Sequence, residues 1–125
     1  MQTGYFTWTA SSPSGYANLA HLYALFNTTV TGANACYIDY NRSANLLYLA
    51  DNAGTAWTGG FTPGSSSSAS NSQCTISGSG SSVSASGNQL SVTVNVTFQS
   101  SFSGAKNNYL NAYDSAGLYS GFQTM

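Results

Sequence analysis

The chain is predicted to fold as an all-β antiparallel sandwich of about seven to nine strands, and three observations carry that expectation. Leu90, Val92, Val94, Val96 and Phe98 alternate with Ser91, Thr93, Asn95 and Thr97, the period-two signature of a half-buried strand rich in β-branched residues. Shorter apolar runs recur at roughly ten-residue spacing between Gly, Ser, Asn and Asp turns. The composition, 42% hydrophobic and 14% aromatic, is too apolar for disorder despite abundant Ser, Gly and Asn. At 125 residues the chain reads as one domain, residues 1–125.

Residues 5–10 set Phe6 and Trp8 against Thr7 and Thr9, and the run Ser12-Pro13-Ser14-Gly15 ends that strand as a turn. The segment 18–27 fits two patterns. Leu19, Leu22, Tyr23 and Phe26 make a helical stripe, whereas Ala20, Leu22, Ala24 and Phe26 make a strand face; the all-β surroundings favour the strand. Residues 35–40 and 46–50 are expected to form a hairpin across the polar stretch 41–45. Asp51-Asn52-Ala53-Gly54 is a turn, followed by at most a short strand at 55–57. Strands are also expected at 72–77, which puts Cys74 and Ile76 on one face, at 108–114 and at 119–123. The Ser/Gly stretches 64–70 and 77–87 read as long loops within the domain.

Charge restricts the chemistry. Two basic residues, Arg42 and Lys106, and three acidic ones, Asp39, Asp51 and Asp114, leave a formal charge of −1. Two cations do not neutralise a run of phosphates, so nucleic acid and an acidic membrane surface are not expected partners. No apolar stretch approaches the ~20 residues of a membrane-spanning helix, and no basic-then-apolar leader precedes Tyr5; the chain is expected to be an excised module or mature segment. His21 is the single histidine, without a nucleophile elbow to serve, and reads as a structural residue. Asp39, flanked by inward Ile38 and Tyr40, reads as an exposed strand carboxylate. Asp51 and Asp114 each open a turn of the form Asp-x-Ala-Gly, where Asx-type hydrogen bonding is the ordinary account. Lys106, beside Asn107 and Asn108, reads as a solvated lysine; an isopeptide bond to an Asn or Asp is the alternative. No catalytic residue, cofactor or metal site is expected.

Cys36 and Cys74 lie 38 positions apart with no His or Cys at metal-ligand spacing, so a disulfide in an oxidising compartment is the economical reading and two free buried thiols the alternative. Nine tyrosines, six phenylalanines, Trp8 and Trp57 supply the most credible contact surface. Tyr37, Tyr48, Tyr109 and Tyr113 are expected to divide between sheet faces. Trp57, in the stretch before Gly59-Gly60, is the first candidate for an exposed ring, with Tyr37 and Tyr48 as further candidate ligand contacts.

The segments Asn34-Ala35-Cys36-Tyr37, residues 46–54 (LLYLADNAG), Asn71-Ser72-Gln73-Cys74-Thr75 and Gly121-Phe122-Gln123 resemble immunoglobulin-like repeats of very large extracellular proteins of soil bacteria. The likeness runs from about Phe6 to Gln123, with Phe122 standing where that family would have Trp. The resemblance implies an immunoglobulin-like β-sandwich, secreted or on the cell surface, used as a noncatalytic spacer or adhesive module. Its expected partners are neighbouring copies of the domain or other surface proteins. A carbohydrate-binding module using exposed aromatics is the alternative from a different class.

Overall fold

The computed structural model describes residues 2–12, 15–29, 31, 33–99, 102, 107–114 and 123–124. Among these the chain forms ten strands: β1 (Gln2–Ser11), β2 (Leu19–Asn27), β3 (Cys36–Asn41), β4 (Leu46–Ala50), β5 (Trp57–Phe61), β6 (Ser68–Ser70), β7 (Cys74–Ser86), β8 (Gln89–Phe98), β9 (Asn107–Asp114) and β10 (Gln123–Thr124). They build two antiparallel sheets, one of four strands in the order β1-β8-β7-β6 and one of six in the order β10-β9-β2-β3-β4-β5. Connectivity is that of two meanders, β2 to β5 in one layer and β6 to β8 in the other. This is a β-sandwich; it shares with immunoglobulin domains the two-layer architecture and an inter-sheet disulfide.

Alternation decides which side chains enter the core. From β8, Leu90, Val92, Val94 and Val96 point inward, meeting Leu22, Ala24 and Phe26 of β2 and Ile38 and Tyr40 of β3. Trp8 and Phe26 meet at 5.9 Å and Phe6 and Phe26 at 5.0 Å, edge to face, the geometry that the ring quadrupole favours. The core is stapled by the Cys36–Cys74 disulfide, which joins the first residues of β3 and β7 with Cα atoms 5.7 Å apart. Both cysteines are fully buried. No helix among the described residues is long and apolar enough to cross a membrane.

Of the segment 18–27, all but Asn18 is strand β2, preceded by a single 3-10 turn at Tyr16–Asn18. The helical stripe loses because β2 lies between β3 and β9, which pair with it on both sides and satisfy its backbone along the ladder. The hairpin across 41–45 is present, with Asn45 at φ 56 and its side-chain carbonyl accepting from the Tyr40 hydroxyl at 2.7 Å.

Two loop expectations are corrected. Residues 77–86 are not a loop: they belong to β7, whose second half pairs with β8 from Ser82↔Thr93 to Ser86↔Gln89. Low complexity hides this strand, because serine supplies no apolar period. Its turn chemistry is nonetheless in view, since Gly87, at φ 58, opens the two-residue Gly-Asn turn of a tight hairpin. Likewise Ser68–Ser70 is not loop but the short edge strand β6, buried only at Ala69. The expected strand at 119–123 lies outside the described residues except for Gln123, which pairs with Leu110 in β10. Residues 115–117 of the second Asp turn, Lys106 and Phe122 lie outside them as well.

Candidate functional site

Strand register gathers aromatic rings on the outer face of the six-stranded sheet. One cross-strand row runs Tyr113, His21, Asn41, Leu46, and the next runs Asn111, Tyr23, Asp39, Tyr48, Gly59. A third sets Tyr109, Leu25 and Tyr37 side by side, and Ala50 faces Trp57 at the β4–β5 end. Tyr37, Tyr48, Tyr109 and Tyr113 therefore do not divide between faces. All four lie outward, and the inward tyrosine is Tyr40, because β3 enters the core on its even-numbered residues.

The rings form one connected cluster. Tyr23 stands at its centre, 5.3 Å from Tyr113, 6.0 Å from Tyr37 and 5.9 Å from Trp57, and Tyr37 and Trp57 are 4.9 Å apart. His21 stacks on Tyr23 at 5.5 Å with the ring planes 14° apart. Alongside, Leu25, Ala35 and Tyr109 make a second small core with Tyr37 packed against it, so the Tyr37 side of the cluster is anchored on buried residues. Trp57 is its exposed end, 41% accessible. Of the three candidate ligand residues, Tyr37 and Trp57 are thus brought together. Tyr48 shares the face, but its ring lies on Gly60, where a Cβ would come within 3.0 Å of it.

Gly60 sits in an irregularity of β5. Gly59 and Gly60, at φ 94 and 82, form a bulge in β5 between the Leu47↔Phe61 and Tyr48↔Gly59 pairings. Left-handed backbone at two successive positions is cheap only for glycine. The extra residue reverses the alternation, so that Trp57 lies on the outer face while Phe61 enters the core.

Asp39 corrects a second expectation. It points outward as alternation requires, yet it is buried, 5% accessible, in a row with Tyr23 and Tyr48 and close enough to Tyr23 and Tyr37 for its charge to act on both hydroxyls. His21 answers it through Nδ1, 2.9 Å from Asp39 Oδ1. Burial pushes the Asp39 carboxyl above its ordinary value of 3.8, and the hydrogen bond and charge of His21 pull it partly back. Burial and the neighbouring Asp39 also push Tyr23 up to about 12, so its hydroxyl stays protonated and able to donate throughout the neutral range. Because folding raises the Asp39 pKa, the folded protein holds this proton more tightly than the unfolded chain does. Its contribution to stability is therefore fullest below pH 3.8 and is lost as pH rises through the raised value. The stability of the native protein minus that of Asp39→Asn is expected to fall as pH is raised from 3 to 7 in thermal unfolding scans; a difference that rises over this interval contradicts the assignment.

Elsewhere the polar residues shape turns. Asp51 Oδ1 accepts from the backbone N–H groups of Thr55 at 3.0 Å and Ala56 at 3.4 Å, four and five residues on, so it closes a wider turn than the Asx type expected of it. Arg42 donates from Nε to the Leu19 carbonyl and from its backbone N–H to Ala20, holding the β3–β4 turn to the start of β2. No group of three or more His, Cys, Asp or Glu that could hold a metal ion occurs among the described residues.

Sequence reasoning does not find Tyr23, Tyr113 and the His21–Asp39 pair as members of one site. A signal exists once 18–27 is taken as a strand, since Leu22, Ala24 and Phe26 inward force His21, Tyr23 and Leu25 outward. What alternation does not give is the neighbour across the ladder, which here is an aspartate. No protein-family model, curated protein or solved structure matches the chain.

Proposed function

We propose that this domain is a noncatalytic adhesive module of a secreted or cell-surface protein, and that it binds neutral glycans on the outer face of its six-stranded sheet. The observation that carries the reading is the packed cluster of Tyr113, Tyr23, Tyr37 and Trp57, exposed at its Trp57 end. Aromatic rings present flat apolar faces to the C–H groups of a sugar ring, and their polar edges bond its hydroxyls. Asn41, the Tyr23 hydroxyl and His21 surround the rings with hydrogen-bonding groups. Among the described residues of this face a charged ligand finds little to pair with. Arg42 is tied to the Leu19 carbonyl and Asp39 is covered. The disulfide fits an oxidising, extracytoplasmic setting.

The test is a neutral-glycan array, followed by calorimetry on the ligand it returns. Trp57→Ala is expected to weaken binding by about tenfold or more, the size of one stacking interaction removed together with its buried area. Tyr48→Ala should cost less, because its ring lies on Gly60 rather than in the cluster. A protein that binds no glycan, or a Trp57→Ala variant that binds as well as the native one, overturns the reading and leaves a spacer role.

A further inference from the structure

Among the described residues the sandwich has four sheet edges. β6 is three residues long, β5 is interrupted by the Gly59-Gly60 bulge, and β10 is described only at Gln123–Thr124. Short strands and bulges are the ordinary devices by which a sheet avoids pairing with another chain. The fourth edge, β1, carries none of them. It is ten residues long, QTGYFTWTAS, without a charge or a proline. Its register with β8 runs unbroken from Gln2↔Phe98 to Ser11↔Gln89. Every second residue of such a strand turns its N–H and C=O away from β8, and among the described residues β8 is the one strand that β1 pairs with.

We propose that β1 is a self-pairing edge, through which two copies of this chain join antiparallel about a twofold axis at Thr7 and fuse their four-stranded sheets into one. The strand is suited to its own copy. About Thr7 the pattern is pseudo-palindromic, so Thr7 meets Thr7, Phe6 meets Trp8 and Tyr5 meets Thr9. Each row keeps its face, core-facing Phe6 and Trp8 on one side and Tyr5, Thr7 and Thr9 on the other. The outer row would continue a hydroxyl ladder that already exists one strand inward, where Thr7 bonds Thr93 at 2.8 Å and Thr9 bonds Ser91 at 2.9 Å. The one bulky outer side chain does not block the approach. Tyr5, 64% accessible, lays its ring on Gly80 of β7, on the far side of β8 from the open edge. Neutrality matters too, because like charges placed opposite one another in a twofold pair would repel, and this strand places none. A dimer built this way would carry two aromatic faces and so engage a repeating ligand with avidity, although the pairing itself does not depend on what those faces bind.

The test is sedimentation equilibrium of the intact chain over a concentration series, with Thr7→Lys and Thr7→Glu compared with the native protein. Thr7 is exposed, so both variants should keep the native circular-dichroism spectrum and unfolding midpoint. The native chain is expected to dimerise, and each variant alone to dissociate at least about tenfold more readily, because like charges meet on the axis. An equimolar mixture of Thr7→Lys and Thr7→Glu should recover the dimer. A native chain that stays monomeric, a Thr7→Lys variant that dimerises as well as native, or a mixture that fails to recover overturns the proposal. Trp57→Ala should dimerise normally, which separates this result from the glycan reading.

Discussion

Replacing Cys36 and Cys74 together by alanine is expected to destabilise the domain by about 4 kcal/mol, the chain-entropy cost of reopening a loop of this length. That is a large share of the ~5–15 kcal/mol by which a domain of ordinary stability is held folded. The bridge spans a sequence separation of 38 and ties β3 of one sheet to β7 of the other. Both sulfurs lie within the main core, beside residues such as Ile76 and Leu49 that are themselves fully buried. The measurement is urea unfolding, in which the midpoint should fall by roughly 2 M at the slope usual for a small protein. Reductant should act on the native protein only as it unfolds, since both cysteines are shut away from solvent. A double variant whose midpoint lies within about 0.5 M of native would show that burial of the two sheets, not the staple, holds the layers together.

Asn71→Ala is expected to cost about 3 kcal/mol, more than its single side chain suggests, because four backbone groups lose their partner. The Asn71 amide donates to the carbonyls of Ala35 at 3.0 Å and Ala50 at 2.9 Å, and its carbonyl accepts from the N–H groups of Gln73 at 2.8 Å and Cys74 at 2.9 Å. One residue thus closes an Asx turn into β7 and holds that turn against the start of β3 and the end of β4. Ala35 and Ala50 are buried, so water does not readily replace the missing donor. Asn71→Asp should be at least as damaging. Its carboxylate still accepts from Gln73 and Cys74, but it sets an acceptor against two carbonyls where a donor is needed. Ser72→Ala, which removes a bond to Asn52 at an exposed position, should cost well under half as much. Chemical unfolding of the three variants checks the order. An Asn71→Asp protein as stable as native would show that the amide donors are dispensable. Because Asn71 adjoins Cys74, its effect is not expected to add to that of the disulfide variant.

Legibility follows the strength of the apolar period. β8, with five alternating apolar residues, is readable to within a residue, and so is the hairpin of β3 and β4. Residues 77–86 are opaque because Ser and Gly carry no inside-outside signal; that strand exists by pairing with β8 and by its two-residue turn. The Gly59-Gly60 bulge is not legible for the related reason that glycine pairs mark turns and bulges alike. Among the candidate ligand residues, Trp57 is nameable as an aromatic among turn-forming residues and Tyr37 as a tyrosine of an expected strand. Tyr23 is not, since its direction depends on resolving helix against strand, and a neighbouring strand on either side decides that.

Alternation, turn residues and the shortage of ions are local properties of the chain, and from them alone follows a β-sandwich poor in charge. The two cysteines have only each other as a disulfide partner, which makes the bridge readable as well. Which outward residues share a row is a different kind of fact, and it emerges only when the strands assemble. Asp39 is then buried among tyrosines and bonded to His21, four rings meet around Tyr23, and among the described residues β1 pairs only with β8. Period two assigns a residue to a face, whereas its neighbours on that face come from cross-strand register and strand order, which are set by contacts between segments far apart in the chain.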